Sequence, residues 1–204
     1  MNTLTPTPST LVRKPDTVLK QVFGYSEFSD GQKAVIDAAI NGQDSLVLLP
    51  TGGGKSVCYQ VPALVLEGVT VVISPLISLM QDQVTQLQAL GVKAAYINNS
   101  LAREEQQLVY QQLHQGLIKL LYVAPEKVLQ HEFTERLSHL NISLFAIDEA
   151  HCVSHWGHDF RPHYFRLNEL KQRFSHVPMM ALTATADKAT RFDIVEQLKL
   201  QQPY

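Results

Sequence analysis

Short apolar segments alternate with longer segments of helical pattern along most of the chain. The apolar segments are rich in β-branched residues and span Ser45–Leu49, Val69–Ser74, Ala94–Asn98, Lys119–Val123, Leu144–Ile147 and Met179–Leu182. Their side chains are almost continuously apolar and do not alternate with polar ones, which is typical of strands that are covered on both faces. The pattern therefore predicts a sheet that lies buried between two layers.

The segments between these strands have apolar residues at helical spacing. The predicted helices span Gly31–Ile40, Lys55–Leu66, Leu79–Leu90, Arg103–Gln115 and Asp187–Leu200. Regular alternation of strand and helix predicts an α/β fold, an open, mostly parallel sheet with helices on both faces. Because ligands of such sheets bind at the carboxyl ends of the strands, the residues that follow each strand are the first candidates for a site.

Composition and charge narrow the class of protein. The 204 residues, 45% apolar and 18% charged, suit one globular domain. Residues 1–14, rich in Thr, Ser and Pro, are predicted to form a flexible lead-in to a single domain of residues 15–204. No apolar run is long enough to span a membrane, and two cysteines cannot form a disulfide framework, so we predict a cytoplasmic protein with no membrane partner.

The strand Ser45–Leu49 runs through Pro50 into a glycine-rich turn and then into a predicted helix. The turn and the helix start supply the candidate cofactor-binding residues, Thr51, Gly52, Gly53, Gly54, Lys55 and Ser56. Glycines allow the backbone N–H groups to point at phosphate oxygens, and the helix N-terminus favours an anion. Lys55 is predicted to contact the β- and γ-phosphates and Ser56 to bind Mg²⁺, so the expected cofactors are ATP and Mg²⁺.

This phosphate loop departs from the most general pattern, since Leu49 occupies the position of its first glycine. The form Pro-Thr-Gly-Gly-Gly-Lys-Ser instead resembles the phosphate loop of superfamily 2 helicases. A glycine-rich turn that merely ends a buried strand is the alternative. The order of strand, glycines, Gly-Lys-Ser and helix favours the phosphate loop.

An acidic pair, Asp148-Glu149, follows the predicted strand Leu144–Ile147. A carboxylate in this position is suited to hold Mg²⁺, usually through a water molecule, so Asp148 is the second predicted metal ligand. Glu149 is predicted to orient and deprotonate the attacking water. His151 is predicted either to relay nucleotide state or to be a hydrogen-bonded histidine beside the site. An ordinary polar turn is the alternative for the pair.

The segment after His151 combines rings with a cation. Trp156, His158, Phe160 and Arg161 are suited to base stacking and phosphate contact, although aromatic residues in a loop also serve as packing anchors. A zinc site is a further alternative, with Cys152, His155, His158 and His163 as its ligands. Their spacing is not that of a standard zinc-ligand set. The net charge of −2 does not indicate a nucleic-acid-binding protein, so such contacts require a local surface.

From about Leu19 onward the chain resembles the RecQ family of ATP-dependent DNA helicases. The family-specific signal is the acidic pair followed by the aromatic segment. Further stretches resemble family motifs: Phe23-Gly24-Tyr25 with Gln32, Ser74-Pro75-Leu76-Ile77-Ser78-Leu79-Met80, Val123-Ala124-Pro125-Glu126 and Ala181-Leu182-Thr183-Ala184-Thr185-Ala186. Two positions depart from the family, Ser29 in place of Arg and His155 in place of Gln. Ser29-Asp30 suits a helix N-cap, and the lost arginine predicts weaker nucleotide binding.

The resemblance implies roles for individual residues. Tyr25 and Gln32 are expected to bind adenine, a role that the ring and the amide can fill. Ser74, Pro75 and Ser78 are expected to line the DNA path, although Ser74 and Ser78 also suit helix capping. The last two are hydroxyl residues at the end of a strand, Thr183 and Thr185. They are expected to link hydrolysis to strand separation, and their hydroxyls are placed to bond His151 or the metal shell.

The resemblance also implies the activity, that of a 3′-to-5′ DNA helicase acting on single-stranded or partly duplex DNA in repair or recombination. In bacteria such a protein would be nucleoid-associated. The family enzyme has a second RecA-like lobe that supplies an arginine finger, worth on the order of 10³-fold or more in rate. We therefore expect this chain, as a first RecA-like lobe without its partner lobe, to hydrolyse ATP poorly alone. The alternatives are an RNA helicase and a non-catalytic binding module.

Overall fold

The computed structural model describes residues 13–155 and 159–204. Its strands are β1 (Ser45–Leu48), β2 (Val69–Ile73), β3 (Ala94–Ile97), β4 (Leu120–Val123), β5 (Ile142–Ile147) and β6 (Met179–Thr183). Its helices are α1 (Pro15–Val18), α2 (Gln32–Ile40), α3 (Lys55–Val65), α4 (Ile77–Ala89), α5 (Arg103–His114), α6 (Pro125–Val128), α7 (His131–Ser138), α8 (Pro162–Phe165), α9 (Asn168–Arg173) and α10 (Lys188–Leu198). A π-helical turn, Leu19–Phe23, continues α1, and a 3₁₀ turn, Ala150–Val153, follows β5.

The strands form one parallel sheet in the order β1-β6-β5-β2-β4-β3. Since every strand points the same way, the segments that follow them meet at one edge of the sheet. The predicted open, mostly parallel α/β sheet is therefore confirmed. The strand order places β6 between β1 and β5, so the glycine-rich turn after β1 and the acidic pair after β5 lie two strands apart.

Both faces of the sheet are covered, and β5 illustrates how. Leu144 and Ala146 pack against α2, α3 and α4 on one face, while Phe145 and Ile147 pack with α5, α7, α9 and α10 on the other. Side chains alternate between faces along a strand, so a strand buried on both faces must be apolar at every position. This explains the continuous apolar segments of the sequence.

The predicted strands agree with the observed ones to within one or two residues at each end. The helices α6, α7, α8 and α9 were not predicted, because four to eight residues are too few for a 3.6-residue period to stand out. The predicted cap Ser29-Asp30 is wrong: α2 has Gly31 as its N-cap, in the left-handed conformation, with no capping side chain. None of the described helices is long and apolar enough to cross a bilayer.

A buried ion pair between Asp44 and Lys171 stabilises the amino end of the sheet. Asp44, directly before β1, accepts hydrogen bonds from Nζ of Lys171 at 2.7 Å, from the backbone N–H of Met179 at 2.8 Å and from that of Gln201 at 2.7 Å. Nζ of Lys171 also donates to the carbonyl oxygen of Val177 at 3.2 Å. One carboxylate thus joins α9, β6 and the segment after α10 to the start of β1.

Candidate functional site

The glycine-rich turn closes tightly between β1 and α3. The backbone N–H of Gly53 donates to the carbonyl oxygen of Pro50 at 2.9 Å. Gly54 is the N-cap of α3 in the left-handed conformation, with φ of 75°, and a Cβ there would lie 2.3 Å from Nε2 of Gln32. Glycine suits this position, because the backbone angle is strained for other residues and a Cβ would displace the side-chain amide of Gln32.

The two side chains with predicted chemical roles, those of Lys55 and Ser56, lie in the first turn of α3. Lys55 is the first residue of the helix, and its Nζ donates to the carbonyl oxygen of Leu49 at 3.3 Å. Ser56 follows, and both side chains line the same cavity of about 460 Å³. Thr51 and Gly52 form its rim, where both are exposed. Five of the six predicted phosphate-binding residues, all but Gly53, therefore line one cavity at the N-terminus of a helix.

The acidic pair lies on the far side of this cavity. Asp148 follows β5, its backbone N–H donates to the carbonyl oxygen of Ile73, and its own carbonyl oxygen accepts from the hydroxyl of Tyr164 at 2.9 Å. Both Asp148 and Glu149 line the cavity with Lys55 and Ser56. Residues about 90 positions apart in the sequence thus face one space, as the parallel sheet requires.

Burial alters the acidity of Asp148. Removal of its carboxyl group from water and the neighbouring charge of Glu149 together raise its pKa to about 6. The backbone N–H of Glu149, which donates to Oδ1 of Asp148 at 3.0 Å, and the ammonium of Lys55 act in the opposite direction. A carboxylate that is costly to ionise in this setting gains from a nearby cation.

Glu149 has a strained backbone. Its φ of 50° and ψ of 45° lie in the left-handed region, which is uncommon for a residue with a Cβ. Such outliers cluster at functional sites because the surrounding structure must hold them in place. Here the conformation turns the chain directly after Asp148 and starts the 3₁₀ turn, so that Glu149 remains at the cavity while the following residue is buried.

His151 connects the acidic pair with the end of β6. Its Nδ1 lies 3.0 Å from the hydroxyl oxygen of Thr183 and 3.3 Å from Oε2 of Glu149. The Thr183 hydroxyl also lies 3.1 Å from the carbonyl oxygen of Thr185, to which it can donate. The predicted contact of Thr183 with His151 is confirmed. Through its contacts with Glu149 and Thr183, His151 connects the acidic pair with the end of β6.

The two predicted adenine-binding residues differ in exposure, and Tyr25 is the one that lines the cavity. Tyr25 lines the cavity and is 57% exposed, which leaves its ring face open. Gln32 is buried: its Oε1 accepts from the backbone N–H of Ser29 at 2.9 Å, and its Nε2 donates to the carbonyl oxygen of Gly54 at 3.2 Å. The amide of Gln32 therefore connects this segment to the phosphate loop, and its contact with adenine stays a prediction.

The segment after β2 has one buried and one exposed serine. Ser74 lines the cavity, and its hydroxyl is buried without a hydrogen-bond partner among the described residues. Pro75 is half-buried, and Ser78 is exposed in the first turn of α4. The capping alternative is wrong for both serines, since the N-cap of α4 is Leu76 and no side chain caps the helix. Their predicted role in the DNA path stays open.

The aromatic segment is only partly described. Trp156 and His158 lie outside the described residues. The ring of Phe160 stacks on His155 with centroids 3.9 Å apart, and the guanidinium of Arg161 donates to Oδ2 of Asp159 at 3.0 Å. Phe160 and Arg161 are half-buried. Both therefore have partners within the chain, and their predicted contacts with DNA stay predictions.

The zinc alternative receives no support from the described residues. The one cluster of potential metal ligands found among them is His151, Cys152 and Asp159, without His155 or His163. Two of these groups are committed elsewhere, His151 to Thr183 and Asp159 to Arg161. Burial raises the pKa of the Cys152 thiol to about 12, which opposes the thiolate that zinc requires.

The Mg²⁺ site expected from the sequence fits the groups present. The hydroxyl of Ser56 and the carboxyl group of Asp148 face one cavity, and oxygen ligands of this kind are the ones that Mg²⁺ prefers. Asp148 with its raised pKa and the Ser74 hydroxyl, which has no partner among residues 13–155 and 159–204, are polar groups beside this space that a hydrated cation would satisfy.

Sequence reasoning missed the polar residues at the back of the cavity. These are Tyr59 and Gln60 of α3, Gln83 of α4 and Tyr122 of β4. Tyr59 was accessible to reasoning, since it lies three residues after Ser56 and therefore on the same side of a helix. Tyr122 was not, because its strand is apolar on both faces and nothing in the sequence indicates which neighbour it meets.

Comparison with known proteins agrees with this geometry. The DEAD/DEAH box helicase family model matches residues 29–192. The chain belongs to the DEAD/DEAH box helicase family. The match spans the phosphate loop, the acidic pair and the Thr183 segment, which are the parts of the helicase domain that line or adjoin the cavity.

Individual relatives indicate the branch of the family. The domain is 59% identical over 187 residues to the ATP-dependent DNA helicase RecQ of Pasteurella multocida and 55% identical over 198 residues to that of Haemophilus influenzae. These alignments cover 92% and 96% of this chain, but only 30% and 32% of the relatives. The RecQ-family resemblance is confirmed, and the chain spans about a third of the length of these curated relatives.

Solved structures support the fold. The domain superposes on the DUF1998 helicase MrfA bound to DNA and AMPPNP with a TM-score of 0.73, at 21% identity, over 95% of this chain and 29% of that one. It superposes on the Hef helicase domain of Pyrococcus furiosus with a TM-score of 0.62, at 19% identity, over 84% of this chain and 36% of that one. The fold is therefore that of a RecA-like helicase domain.

Proposed function

We propose that this chain is the first motor domain of an ATP-dependent DNA helicase, and that it binds ATP together with Mg²⁺ in the cavity between α3 and β5. One observation carries the proposal: Lys55, Ser56, Asp148 and Glu149 line a single cavity at the carboxyl edge of the sheet. They supply the phosphate-binding cation, the metal ligands and the water-activating carboxylate of a phosphate-loop enzyme.

Each side chain has one task in this proposal. Lys55 and the backbone N–H groups of the loop stabilise negative charge on the phosphates. Ser56 and Asp148 would hold Mg²⁺, which supplies charge neutralisation when bound. Glu149 orients the attacking water and accepts its proton, and its position beside His151 links that step to Thr183.

The DNA partner is inferred from the relatives and from the edge on which the candidate residues lie. The segments that carry Ser74, Ser78 and Arg161 follow β2 and β5, on the same side as the cavity. We infer a single-stranded or partly duplex DNA path across this edge, 3′-to-5′ movement, and a second RecA-like lobe that closes over ATP in the full-length enzyme. A place in DNA repair or recombination, in the cytoplasm or at the nucleoid, follows from the same inference.

Binding of a fluorescent ATP analogue tests the nucleotide proposal directly. Lys55→Ala should weaken binding at least tenfold in the presence of Mg²⁺, because the charge on the β- and γ-phosphates loses its partner. Lys188→Ala is the matched control, since Lys188 is exposed at the start of α10, another helix N-terminus. Equal binding by the unmodified chain and Lys55→Ala would overturn the proposal.

Photo-crosslinking to single-stranded DNA and RNA oligonucleotides of one sequence tests the partner. We expect crosslinks to DNA at the edge that carries Ser78 and Arg161, reduced by Arg161→Ala. Preferential crosslinking to RNA would favour an RNA helicase, and the absence of crosslinks to either would favour a binding module without a nucleic-acid partner.

A further inference from the structure

A buried polar chain extends the candidate site toward α4. The cavity that begins at the phosphate loop continues between α3 and α4, where Tyr59, Gln60, Gln83 and Tyr122 line it. Polar side chains in such a place must be hydrogen-bonded to offset the loss of water, and a satisfied network fixes the relative position of the elements that carry it.

Tyr59 is the member nearest the proposed metal ligands. Its side chain is 2% exposed, and its hydroxyl oxygen lies 3.4 Å from that of Tyr122, whose ring meets it edge-on. Burial raises the pKa of Tyr59 well above its usual value, Tyr122 and Asp148 act in the same direction, and an interaction with the Ser56 hydroxyl opposes them. The Tyr59 hydroxyl is therefore neutral, and the Tyr59 side chain lines the same cavity as Ser56 and Asp148.

Gln60 carries the chain across to the next helix. Its Nε2 donates to Oε1 of Gln83 at 3.0 Å and to the hydroxyl oxygen of Tyr122 at 3.4 Å. Gln60 is buried and Gln83 is half-buried on α4. One amide nitrogen thus joins the tyrosine pair to α4.

We propose that Tyr59 is a positioning residue for Ser56 and Asp148, and that the hydrogen bonds from Tyr59 through Tyr122 and Gln60 to Gln83 couple the nucleotide site to α4. The inference rests on the proposed function, because the coupled event is the binding of ATP with Mg²⁺. Helix α4 begins with the segment that carries Ser78, so a displacement of Gln83 is passed to the surface proposed for DNA.

The Mg²⁺ dependence of nucleotide binding tests the first half of the inference. Tyr59→Phe should weaken the Mg²⁺ affinity of the chain saturated with a fluorescent ATP analogue by about two- to tenfold, the range for loss of one hydrogen bond. Its nucleotide affinity in EDTA should be unchanged, whereas a general packing defect would lower both. Tyr96→Phe is the matched control, because the Tyr96 hydroxyl accepts from Gln81 at 3.4 Å on the outer side of α4.

Hydrogen exchange tests the second half. In the unmodified chain, addition of the ATP analogue and Mg²⁺ should slow amide exchange in residues 77–83 of α4. Gln83→Met should remove most of that slowing, while Gln81→Met, the same change two residues away on the exposed side, should retain it.

The outcomes separate the two claims. If the unmodified chain binds the analogue with Mg²⁺ but Tyr59→Phe has the Mg²⁺ affinity of Tyr96→Phe, the positioning role is wrong while the proposed function stands. If Gln83→Met and Gln81→Met give the same protection of α4, the coupling is wrong. If the unmodified chain does not bind the analogue, the proposed function and this inference fail together.

Discussion

Asp44 and Asp148 flank opposite ends of the same sheet, and their carboxylates, one buried and one half-buried, have different partners. The carboxylate of Asp44 is satisfied by the ammonium of Lys171 and by two backbone N–H groups. That of Asp148 has the adjacent N–H of Glu149 and a more distant Lys55, and its pKa is raised to about 6. The first arrangement stabilises the fold, whereas the second leaves a carboxylate that can bind a cation.

The surroundings of each aspartate reinforce this contrast. Near Asp148 lie the left-handed backbone of Glu149 and the buried hydroxyl of Ser74 without a partner among the described residues. Strain and unsatisfied groups at one place are costly unless a ligand uses them. The favourable contacts at the amino end thus offset the strain and the unsatisfied groups at the carboxyl edge, where the candidate site lies.

The largest effect is expected at the amino end. Asp44→Ala should lower the free energy of unfolding by about 3–5 kcal/mol, because it leaves the Lys171 ammonium buried without its partner. Urea denaturation measures the loss, with the exposed Gln43→Ala as control. Asp44→Leu combined with Lys171→Met should recover much of it, since an apolar pair replaces the ion pair. A loss below about 1 kcal/mol for Asp44→Ala would contradict the role of this carboxylate.

At the carboxyl edge we expect replacement of the aspartate to raise the free energy of unfolding, the opposite of the effect at Asp44. The folded-state pKa of Asp148, about 6, exceeds the ordinary value of 3.8, so the folded state retains the proton longer than the unfolded state. The carboxylate therefore has no effect on stability well below pH 4, lowers stability increasingly between pH 4 and about pH 6, and lowers it by a constant amount at higher pH. Two pKa units correspond to about 3 kcal/mol at most.

Asp148→Asn tests this prediction in EDTA. The variant should match the unmodified chain in stability at pH 4 and exceed it by about 2–3 kcal/mol at pH 8, as measured by denaturant unfolding at each pH. Its Mg²⁺-dependent nucleotide binding should be lost. Asp30→Asn, on the surface, is the control for a general charge effect. A stability difference that does not change with pH would contradict the raised pKa.

The smallest effects are expected from two left-handed residues. Glu149 at the site and Lys199 at the end of α10 have φ of 50° and 56°. Replacement of either by Gly should raise the free energy of unfolding by about 0.5–1 kcal/mol, since Gly adopts this conformation without strain. Lys199→Gly should retain the slow ATP hydrolysis expected of this domain alone, and Glu149→Gly should lose it. Thermal unfolding and ATPase assays of both variants check this, and a stability gain by Glu149→Gln would argue against backbone strain as the cause.

Much of the fold was predictable because the strands carry their own signal. Each strand of the sheet is apolar at almost every position, so its bounds were predicted to within two residues. The short helices α6 to α9 were not predicted, since tertiary packing and not local pattern stabilises helices of one or two turns. The ion pair of Asp44 with Lys171 was also missed, because the two residues are 127 positions apart and the sequence around each gives no sign of the other.

In the candidate site, too, some residues were predicted from local sequence and some contacts were not. Lys55, Ser56, Asp148 and Glu149 follow strands in short runs whose chemistry is local, so they were found from spacing alone. The contact of His151 with Thr183 was expected as one of several options and is fixed by the neighbouring positions of β5 and β6. The engagement of Gln32 with Gly54 and that of Tyr59 with Tyr122 were not predicted, because each joins two elements that approach only in the folded chain.

The sequence by itself determined the buried strands, the phosphate loop and the acidic pair, since hydrophobic period and local backbone chemistry are properties of neighbouring residues. Only the tertiary structure decided that β6 separates β1 from β5, that Asp44 meets an ammonium group where Asp148 meets one adjacent N–H group, and that a polar chain reaches from Tyr59 to α4. These features depend on which distant segments share a layer, and burial then sets the pKa of each carboxylate and the cost of each unpaired group.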